Sequence, residues 1–347
     1  MVKIAGRLIG EGKPCFIIAE AGVNHNGDVN LAKKLIDVAR KAGADAVKFQ
    51  TFSTEELVTA GAEKARYQRE TTGADGAQFE MLQKLELGPG DFKKLSVYAR
   101  EKDIIFLSSP FDKGSADLLD NLGVPAFKVP SGEITNFPLL KYIARKKKPV
   151  ILSTGMSTLD EIKEAVEIIR REGSKEIVLL HCVSCYPARV EDMNLKVMET
   201  LRRTFGLPVG LSDHTVGIYI PVAAVALGAC VIEKHFTLDK KLPGPDHQAS
   251  LEPGELREMV KAIRDVEKAL GDGLKRLTDE EEANKKAARR SLVAGVDIPA
   301  GAVITEEMLD IKRPGTGLEP RFINSVIGKK AKKKIASGEV ITLDKVI

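Results

Sequence analysis

Two histidines stand at comparable places in the chain, each where a short β-prone run ends. His214 comes shortly after residues 208–211, and His235 directly follows residues 231–234. If these runs are neighbouring strands, the two imidazoles meet, and such a pair suits a divalent metal that keeps coordination positions open. A hydrogen-bonded pair of core histidines explains the same spacing.

Lysines and serines occupy similar places at the ends of other runs. Lys48 and Lys128 close two of them, and a buried ammonium group needs an anionic partner. Hydroxyl groups follow further runs, at Ser109, Ser131, Ser153 and Ser212. Together these donors are typical of a phosphate or carboxylate site. The alternative is that each lysine pairs with a structural glutamate, such as Glu20 or Glu133.

Eight short apolar runs must position these side chains. They cover residues 16–19, 46–49, 104–107, 126–129, 149–152, 177–180, 208–211 and 231–234. Most lack strict polar alternation, as strands buried on both faces do, and amphipathic stretches such as residues 31–41 and 159–171 lie between them. Strand and helix alternating over about 250 residues predict an α/β protein with a closed (β/α)8, or TIM, barrel, whose chemistry lies at the carboxyl ends of the strands. An open doubly wound sheet is the alternative, but the glycine-rich phosphate turn usual in such sheets is missing from the sequence.

The chain changes character after residue 271. We predict a catalytic barrel domain over residues 1–271 and a charged helical linker over residues 272–290, where an acidic run precedes a basic one. Residues 291–347 contain short β-prone runs separated by glycine and proline turns. They predict a small β-rich domain.

Composition excludes several classes of protein. The 53 Lys and Arg against 49 Asp and Glu leave a net charge of only +4, and aromatic residues are 5% with no Trp, so we expect no nucleic-acid partner despite the basic run at residues 329–334. Four Cys are too few for a disulfide scaffold, and we interpret Cys182 and Cys185 as small packing residues rather than a metal or redox pair. No targeting or membrane-spanning segment is evident, which predicts a cytoplasmic protein without a membrane partner.

Strings along almost the whole chain resemble the sialic acid synthase family. In the barrel they are residues 18–20 and 24–28, 47–50, 127–133, 153–156, 211–214, 233–240 and 244–247. Residues 312–315 and 328–330 resemble the C-terminal antifreeze-like domain of that family, known as SAF, which has a β-clip fold. The strings occur in the order that the family shows.

The resemblance implies an activity. Such enzymes condense phosphoenolpyruvate with a mannosamine-type sugar and water, and they release phosphate by C–O cleavage. The acceptor is N-acetylmannosamine or a 2,4-diacetamido-6-deoxy sugar, and the product is N-acetylneuraminate or a legionaminic or pseudaminic acid. The implied cofactor is a divalent metal, with Mn²⁺ expected and Mg²⁺ or Co²⁺ as alternatives.

The resemblance also assigns roles to residues. His214 and His235 would bind the metal, and Glu20 would act on the water or the sugar. The residues implied to bind phosphoenolpyruvate are Lys48, Ser109, Lys128, Ser131, Ser153, Ser184 and Ser212. Those implied to contact the sugar are Gln50, Glu133, Tyr186, Asp246 and Arg313. The family is a homodimer in which the SAF domain of one subunit covers the barrel of the other, so Arg313 would act across the dimer.

Two departures from the family pattern leave the acceptor open. Ser184 stands where Asn or Thr is common, and Ser109 stands where the family often has Thr. Both keep a hydroxyl donor. Two other functions remain as alternatives, namely a synthase of 3-deoxy-heptulosonate or octulosonate phosphate, which would lack the C-terminal domain, and a non-catalytic sugar-binding protein.

Overall fold

The computed structural model describes residues 1–73 and 75–347. The chain forms two compact units, Met1–Gly271 and Asp272–Ile347. The first unit contains an eight-stranded parallel sheet, and the second contains a small antiparallel pair of strands. None of the described helices combines the length and the hydrophobicity that crossing a membrane requires.

The eight parallel strands close into a barrel. In chain order, and labelled β1 to β8, they are Phe16–Gly22, Ala46–Thr51, Ile105–Pro110, Phe127–Val129, Val150–Ser153, Ile177–Cys182, Val209–Asp213 and Val231–His235. Each strand bonds to its neighbours in the sequence, except that β3 and β4 only lie side by side, and β1 bonds to β8. Pairing of the first strand with the last confirms the predicted barrel and excludes the open doubly wound sheet.

Helices follow the strands and cover the barrel. In the first unit they are Val29–Ala42, Thr54–Leu57, Arg66–Thr72, Gln78–Leu85, Pro89–Glu101, Lys113–Asn121, Phe137–Ala144, Leu159–Arg171, Val197–Phe205, Tyr219–Ala226 and Pro253–Leu270. The two amphipathic stretches in the sequence form helices with defined ends. Asp28 caps the first by accepting from the Asn30 N–H, and Gly43 ends it in a left-handed conformation with φ of 84°. Thr158 and Glu161 form a capping box at the start of Leu159–Arg171.

Alternation along the strands separates two apolar layers. Side chains such as Ile17 point outward and pack with the helices, whereas Phe16 and Ile18 point into the barrel. An N-terminal hairpin of Val2–Ile4 and Arg7–Ile9 packs against these inward side chains. Apolar residues therefore fill the barrel at the amino ends of its strands, which leaves the carboxyl ends for polar groups.

The second unit has its own core. Helix Asp279–Ala288 precedes the antiparallel strands Ser291–Ala294 and Leu309–Lys312, and a short helix covers Ile323–Val326. The buried core residues are Leu292, Ala294, Ile298, Ile304, Val326, Ala331, Ile335, Ile341 and Val346. This confirms a small β-rich fold at the C-terminus.

Candidate active site

A cavity of about 400 Å³ lies at the carboxyl ends of the barrel strands. Its lining includes all the predicted site residues except Glu133 and Arg313, namely Glu20, Lys48, Gln50, Ser109, Lys128, Ser131, Ser153, Ser184, Tyr186, Ser212, His214, His235 and Asp246. Arg313 is exposed in the second unit. Glu133 accepts a hydrogen bond of 2.7 Å from the Asn136 amide in the turn before helix Phe137–Ala144, and its role toward a sugar stays a prediction.

The register of the strands places the charged and polar side chains of the site next to one another. Residues paired across parallel strands present their side chains on the same face. Glu20 of β1 pairs with Lys48 of β2 on one side and with His235 of β8 on the other. Glu233 of β8 pairs with Ser212 of β7. The register therefore makes one continuous polar surface of the inner faces of these four strands.

A buried charge cluster forms the floor of the cavity. Lys48 Nζ lies 2.7 Å from Glu20 Oε2 and 3.6 Å from Glu233 Oε2, and it donates to Ser109 Oγ at 3.1 Å. Lys128 Nζ lies 3.1 Å from Glu233 Oε1, which also accepts from Ser212 at 2.8 Å. Both lysines thus have glutamate partners, as the alternative interpretation required. Glu233, rather than Glu133, is the second of these glutamates.

Burial and charge set the ionisation of this floor. Burial raises the pKa of Glu20 above its usual value, and Lys48 only partly opposes this. Burial also disfavours the charged form of Glu233, but Lys128 and Lys48 outweigh it and hold the pKa of that carboxyl below its usual value. Burial lowers the pKa of Lys128. Glu20 is therefore the carboxylate of the floor that most readily takes up a proton.

Hydroxyl groups extend the floor. Ser153 is fully buried, and within residues 1–73 and 75–347 its Oγ has no hydrogen-bond partner. Ser131 Oγ accepts from the Gly155 N–H at 3.0 Å, which leaves its own hydrogen to donate. A Cβ atom at Gly155 would come within 2.8 Å of Ser131 Oγ and 2.3 Å of Ser184 Oγ, so a side chain here would displace these hydroxyls. The Ser153 and Ser131 hydroxyls can therefore donate hydrogen bonds to a ligand in the cavity.

The two histidines lie beside the floor, with ring centroids 5.5 Å apart. His214 Nδ1 donates to the Val183 carbonyl at 2.8 Å, which leaves the lone pair on Nε2. His235 Nδ1 is buried without a hydrogen-bond partner among the described residues, 4.0 Å from Asp246 Oδ2. Burial lowers the pKa of His235, which keeps that ring neutral. In the described part of the chain no three His, Cys, Asp or Glu side chains converge as a metal site. Cys182 and the Val183 carbonyl raise the pKa of His214 against its burial, so a bound cation would displace a proton from that ring. Two adjacent imidazoles with a free Nε2 on His214 fit a divalent metal that takes its other ligands from solvent or substrate.

Comparison with known proteins identifies the family. Residues 35–275 match the NeuB family, and residues 289–347 match the SAF domain. The chain belongs to the NeuB family. It is 52% identical over 331 residues to an N,N'-diacetyllegionaminic acid synthase of Campylobacter jejuni, covering 95% of this chain and 99% of that protein.

Two further relatives agree. An N,N'-diacetyllegionaminic acid synthase of Legionella pneumophila is 48% identical over 336 residues, which cover 96% of this chain and 94% of that protein. The crystal structure of an N-acetylneuraminic acid (sialic acid) synthetase from Leptospira borgpetersenii superposes with a TM-score of 0.72 at 38% identity, over 82% of this chain and 94% of that one. The predicted family, fold and nonulosonic acid synthase function are thereby confirmed.

An aromatic stack covers the histidines of this NeuB family protein. The Tyr186 ring lies 4.1 Å from that of His214 and 5.0 Å from that of Tyr67. Tyr67 belongs to helix Arg66–Thr72, and its place in the cavity was not foreseen from the sequence. Gln68 donates to the Tyr67 hydroxyl at 3.4 Å. The stack brings an aromatic surface to the upper part of the cavity.

Cys182 also lines the cavity of this NeuB family protein, although the sequence interpretation made it a packing residue. Its Sγ lies 3.8 Å from His214 Nδ1. Burial disfavours the thiolate, but His214, Ser131 and Lys128 together outweigh it and lower the pKa of the thiol to about 7. Cys185 is exposed and both thiols are free. Cys182 therefore belongs to the site, and the interpretation of it as a packing residue missed this.

Several polar residues at strand ends face away from the cavity of this NeuB family protein. Lys234 and Asp213 form a fully buried ion pair of 2.5 Å on the outside of the barrel. His181 donates to the Met193 carbonyl at 2.6 Å. His25 and His247 are buried outside the cavity lining, and burial lowers the pKa of each to about 4. These groups stabilise the fold.

Proposed function

We propose that this NeuB family protein condenses phosphoenolpyruvate with 2,4-diacetamido-2,4,6-trideoxymannose and water, yielding N,N'-diacetyllegionaminic acid and phosphate. The observation that carries the proposal is the floor of two buried lysines and the Ser153 hydroxyl, beside two adjacent histidines, at the carboxyl end of the barrel. The two relatives of highest identity reported above are synthases of this acid. N-acetylmannosamine is the alternative acceptor.

The floor supplies the binding site for phosphoenolpyruvate. A phosphate and a carboxylate on one small molecule need two cationic groups, and Lys48 and Lys128 are buried where water cannot screen them. Ser153 and Ser131 add hydroxyl donors for the phosphate oxygens.

A divalent metal completes the proposed site. Sialic acid synthases are metal-dependent in general, and His214 and His235 are the residues that would hold the metal here. We propose Mn²⁺, with Mg²⁺ and Co²⁺ as alternatives. When bound, such an ion polarises a carbonyl group and so makes an aldehyde more electrophilic.

The chain's own residues then direct the bond changes. C3 of phosphoenolpyruvate attacks the aldehyde carbon of the sugar, and C2 becomes electron-deficient. Water adds at C2, and the raised pKa of Glu20 makes its carboxylate a suitable acceptor for one proton of that water. That proton balances the one taken up by the former aldehyde oxygen as it becomes a hydroxyl group, and the second proton of the water leaves with phosphate. The C2–O bond to phosphate breaks, and Lys48 and Lys128 stabilise the leaving phosphate. A keto group remains at C2 of the nine-carbon acid.

Residues above the floor would hold the sugar. Gln50, Tyr186 and Asp246 line the cavity beyond the charge cluster. We further propose a homodimer in which Arg313 of one protomer reaches the acyl group of the sugar bound by its partner. Such a cover would also exclude water that hydrolyses the activated intermediate.

A phosphate-release assay tests the proposal. Metal-stripped protein receives Mn²⁺ or Mg²⁺, phosphoenolpyruvate and one acceptor, either the diacetamido sugar, N-acetylmannosamine or a phosphorylated aldose. We expect metal-dependent release with the diacetamido sugar and a nine-carbon product by mass spectrometry. Preference for N-acetylmannosamine would reassign the acceptor. Release with the aldose phosphate alone would replace the function by heptulosonate-type synthesis.

A further inference from the structure

One side of the cavity is apolar. It comes from the segment between β2 and helix Pro89–Glu101, together with the residue that follows β3. Four half-buried apolar side chains here line the cavity, and we call them the apolar wall: Leu57, Val58, Leu82 and Phe111. Three of them pack against buried apolar side chains that also contribute to the lining, namely Val23, Phe52, Met81 and Leu85. Half-buried apolar groups in a cavity are the surface that a ligand covers.

The floor decides which end of an acceptor meets this wall. The inference rests on the proposed function, in which the aldehyde carbon lies over the two lysines and beside the two histidines. The other end of the sugar chain, from C4 to C6, then extends toward the rest of the lining. Beyond Gln50, Tyr186 and Asp246, that lining includes the apolar wall and the side chains of Tyr67, Gln68 and Gln78.

The chemistry of the wall favours methyl groups over hydroxyl groups. A hydroxyl that loses water against leucine and valine side chains gains no hydrogen bond in return. A methyl group gains from the same burial. The diacetamido sugar carries a methyl group at C6 and an acetamido group at C4, where N-acetylmannosamine carries hydroxyls. We propose that the apolar wall is the specificity subsite for the C4–C6 end of the acceptor, worth about 10- to 100-fold in kcat/KM between the two sugars.

Substitution of Leu82 tests this subsite in the full-length protein. Leu82→Gln keeps a good helix former in Gln78–Leu85 and places an amide on the wall. We expect the ratio of kcat/KM for the diacetamido sugar to that for N-acetylmannosamine to fall about tenfold. Leu82→Met is the matched control, since it keeps the wall apolar at similar volume, and it should keep the ratio. A ratio measured on one enzyme preparation is insensitive to partial unfolding.

Substitution of Val58 provides a second, independent test of the subsite. Val58→Thr adds a hydroxyl with almost no change of shape, and it should lower the ratio in the same direction if Leu82→Gln does not fold. An unchanged ratio in the folded polar variants would overturn the subsite. The proposed function fails differently, because the wild-type protein would then not prefer the diacetamido sugar at all.

Discussion

Replacement of Ser153 by alanine should make the barrel more stable and lower kcat/KM for phosphoenolpyruvate. Ser153 is fully buried at the end of β5, and its Oγ has no partner within the described residues. A buried hydroxyl without a hydrogen bond costs about 1–3 kcal/mol of stability. Because alanine leaves a small void, we expect Ser153→Ala to raise the free energy of unfolding by about 1 kcal/mol, or the melting temperature of the barrel by about 2 °C.

The same substitution would remove the donor that we propose for the phosphate of phosphoenolpyruvate. A hydrogen bond to a charged group contributes about 1.5–3 kcal/mol, which is about 10- to 100-fold in kcat/KM for phosphoenolpyruvate. Phosphate release at saturating sugar measures that loss, and calorimetry measures the melting temperature. The two effects have opposite signs, so general damage to the fold cannot produce both.

Ser108 supplies the matched control. It is equally buried and comes from β3, but its hydroxyl shares a hydrogen bond of 2.7 Å with Thr51 on the outer face of the strands. Ser108→Ala should therefore lower the melting temperature and leave phosphoenolpyruvate kinetics unchanged. If Ser153→Ala melts earlier than the wild type with unaltered kinetics, its hydroxyl is not a ligand and the reasoning is wrong.

Other predictions concern the metal, the dimer and pH. His235→Gln should abolish stoichiometric Mn²⁺ binding in a calorimetric titration, whereas undiminished binding would remove His235 from the metal site. Arg313→Ala should raise KM for the sugar about tenfold without affecting KM for phosphoenolpyruvate, and Lys312→Ala should change neither; a monomer by light scattering that keeps full activity would contradict the cross-dimer role. His25 and His247 have pKa values of about 4 in the fold against 6.5 ordinarily, so below pH 6.5 the unfolded chain binds more protons. Stability should be complete above about pH 6.5 and fall by up to about 3 kcal/mol for each histidine as pH drops to 4. Equal denaturation midpoints at pH 7 and pH 5 would refute this.

The strands were predictable because each is a short apolar run between helical stretches. The predicted run 16–19 became Phe16–Gly22, and run 177–180 became Ile177–Cys182. The observed strands extend further because polar residues such as Glu20 continue the hydrogen-bonded ladder into the cavity. A polar residue interrupts the apolar pattern in the sequence, but the strand continues beyond it.

The face of the strand on which a side chain lies was harder to predict than the residues that form the strand. Lys234 and His235 are adjacent, yet the first faces outward to Asp213 and the second faces the cavity. Side chains two residues apart in a strand lie on the same face, so Glu233 must share the face of His235. Applying this rule would have identified Glu233 as the partner of both lysines.

The apolar wall and Tyr67 could not be predicted by such a rule. Leu57, Tyr67 and Leu82 belong to short helices between β2 and Pro89–Glu101, outside the repeating pattern of the barrel. Val58 follows the first of these helices, and Phe111 follows β3. Their place at the cavity depends on packing of Met81 and Leu85 against Val23 and Phe52, residues distant in sequence. Contacts of this kind follow from the folded barrel rather than from local spacing.

The N-terminal hairpin has a consequence for the order of events in catalysis. Val2, Ile4 and Ile9 help to fill the barrel at the amino ends of its strands, so small molecules reach the lysine floor only from the carboxyl end. The cavity is closed at the floor, so the ligand that binds deepest must bind first and leave last. In the proposed function, phosphoenolpyruvate would therefore precede the sugar, and the sugar acid would leave before phosphate. Phosphate that accumulates in solution would then compete with phosphoenolpyruvate for the empty enzyme, so the rate of synthesis would depend on phosphate removal.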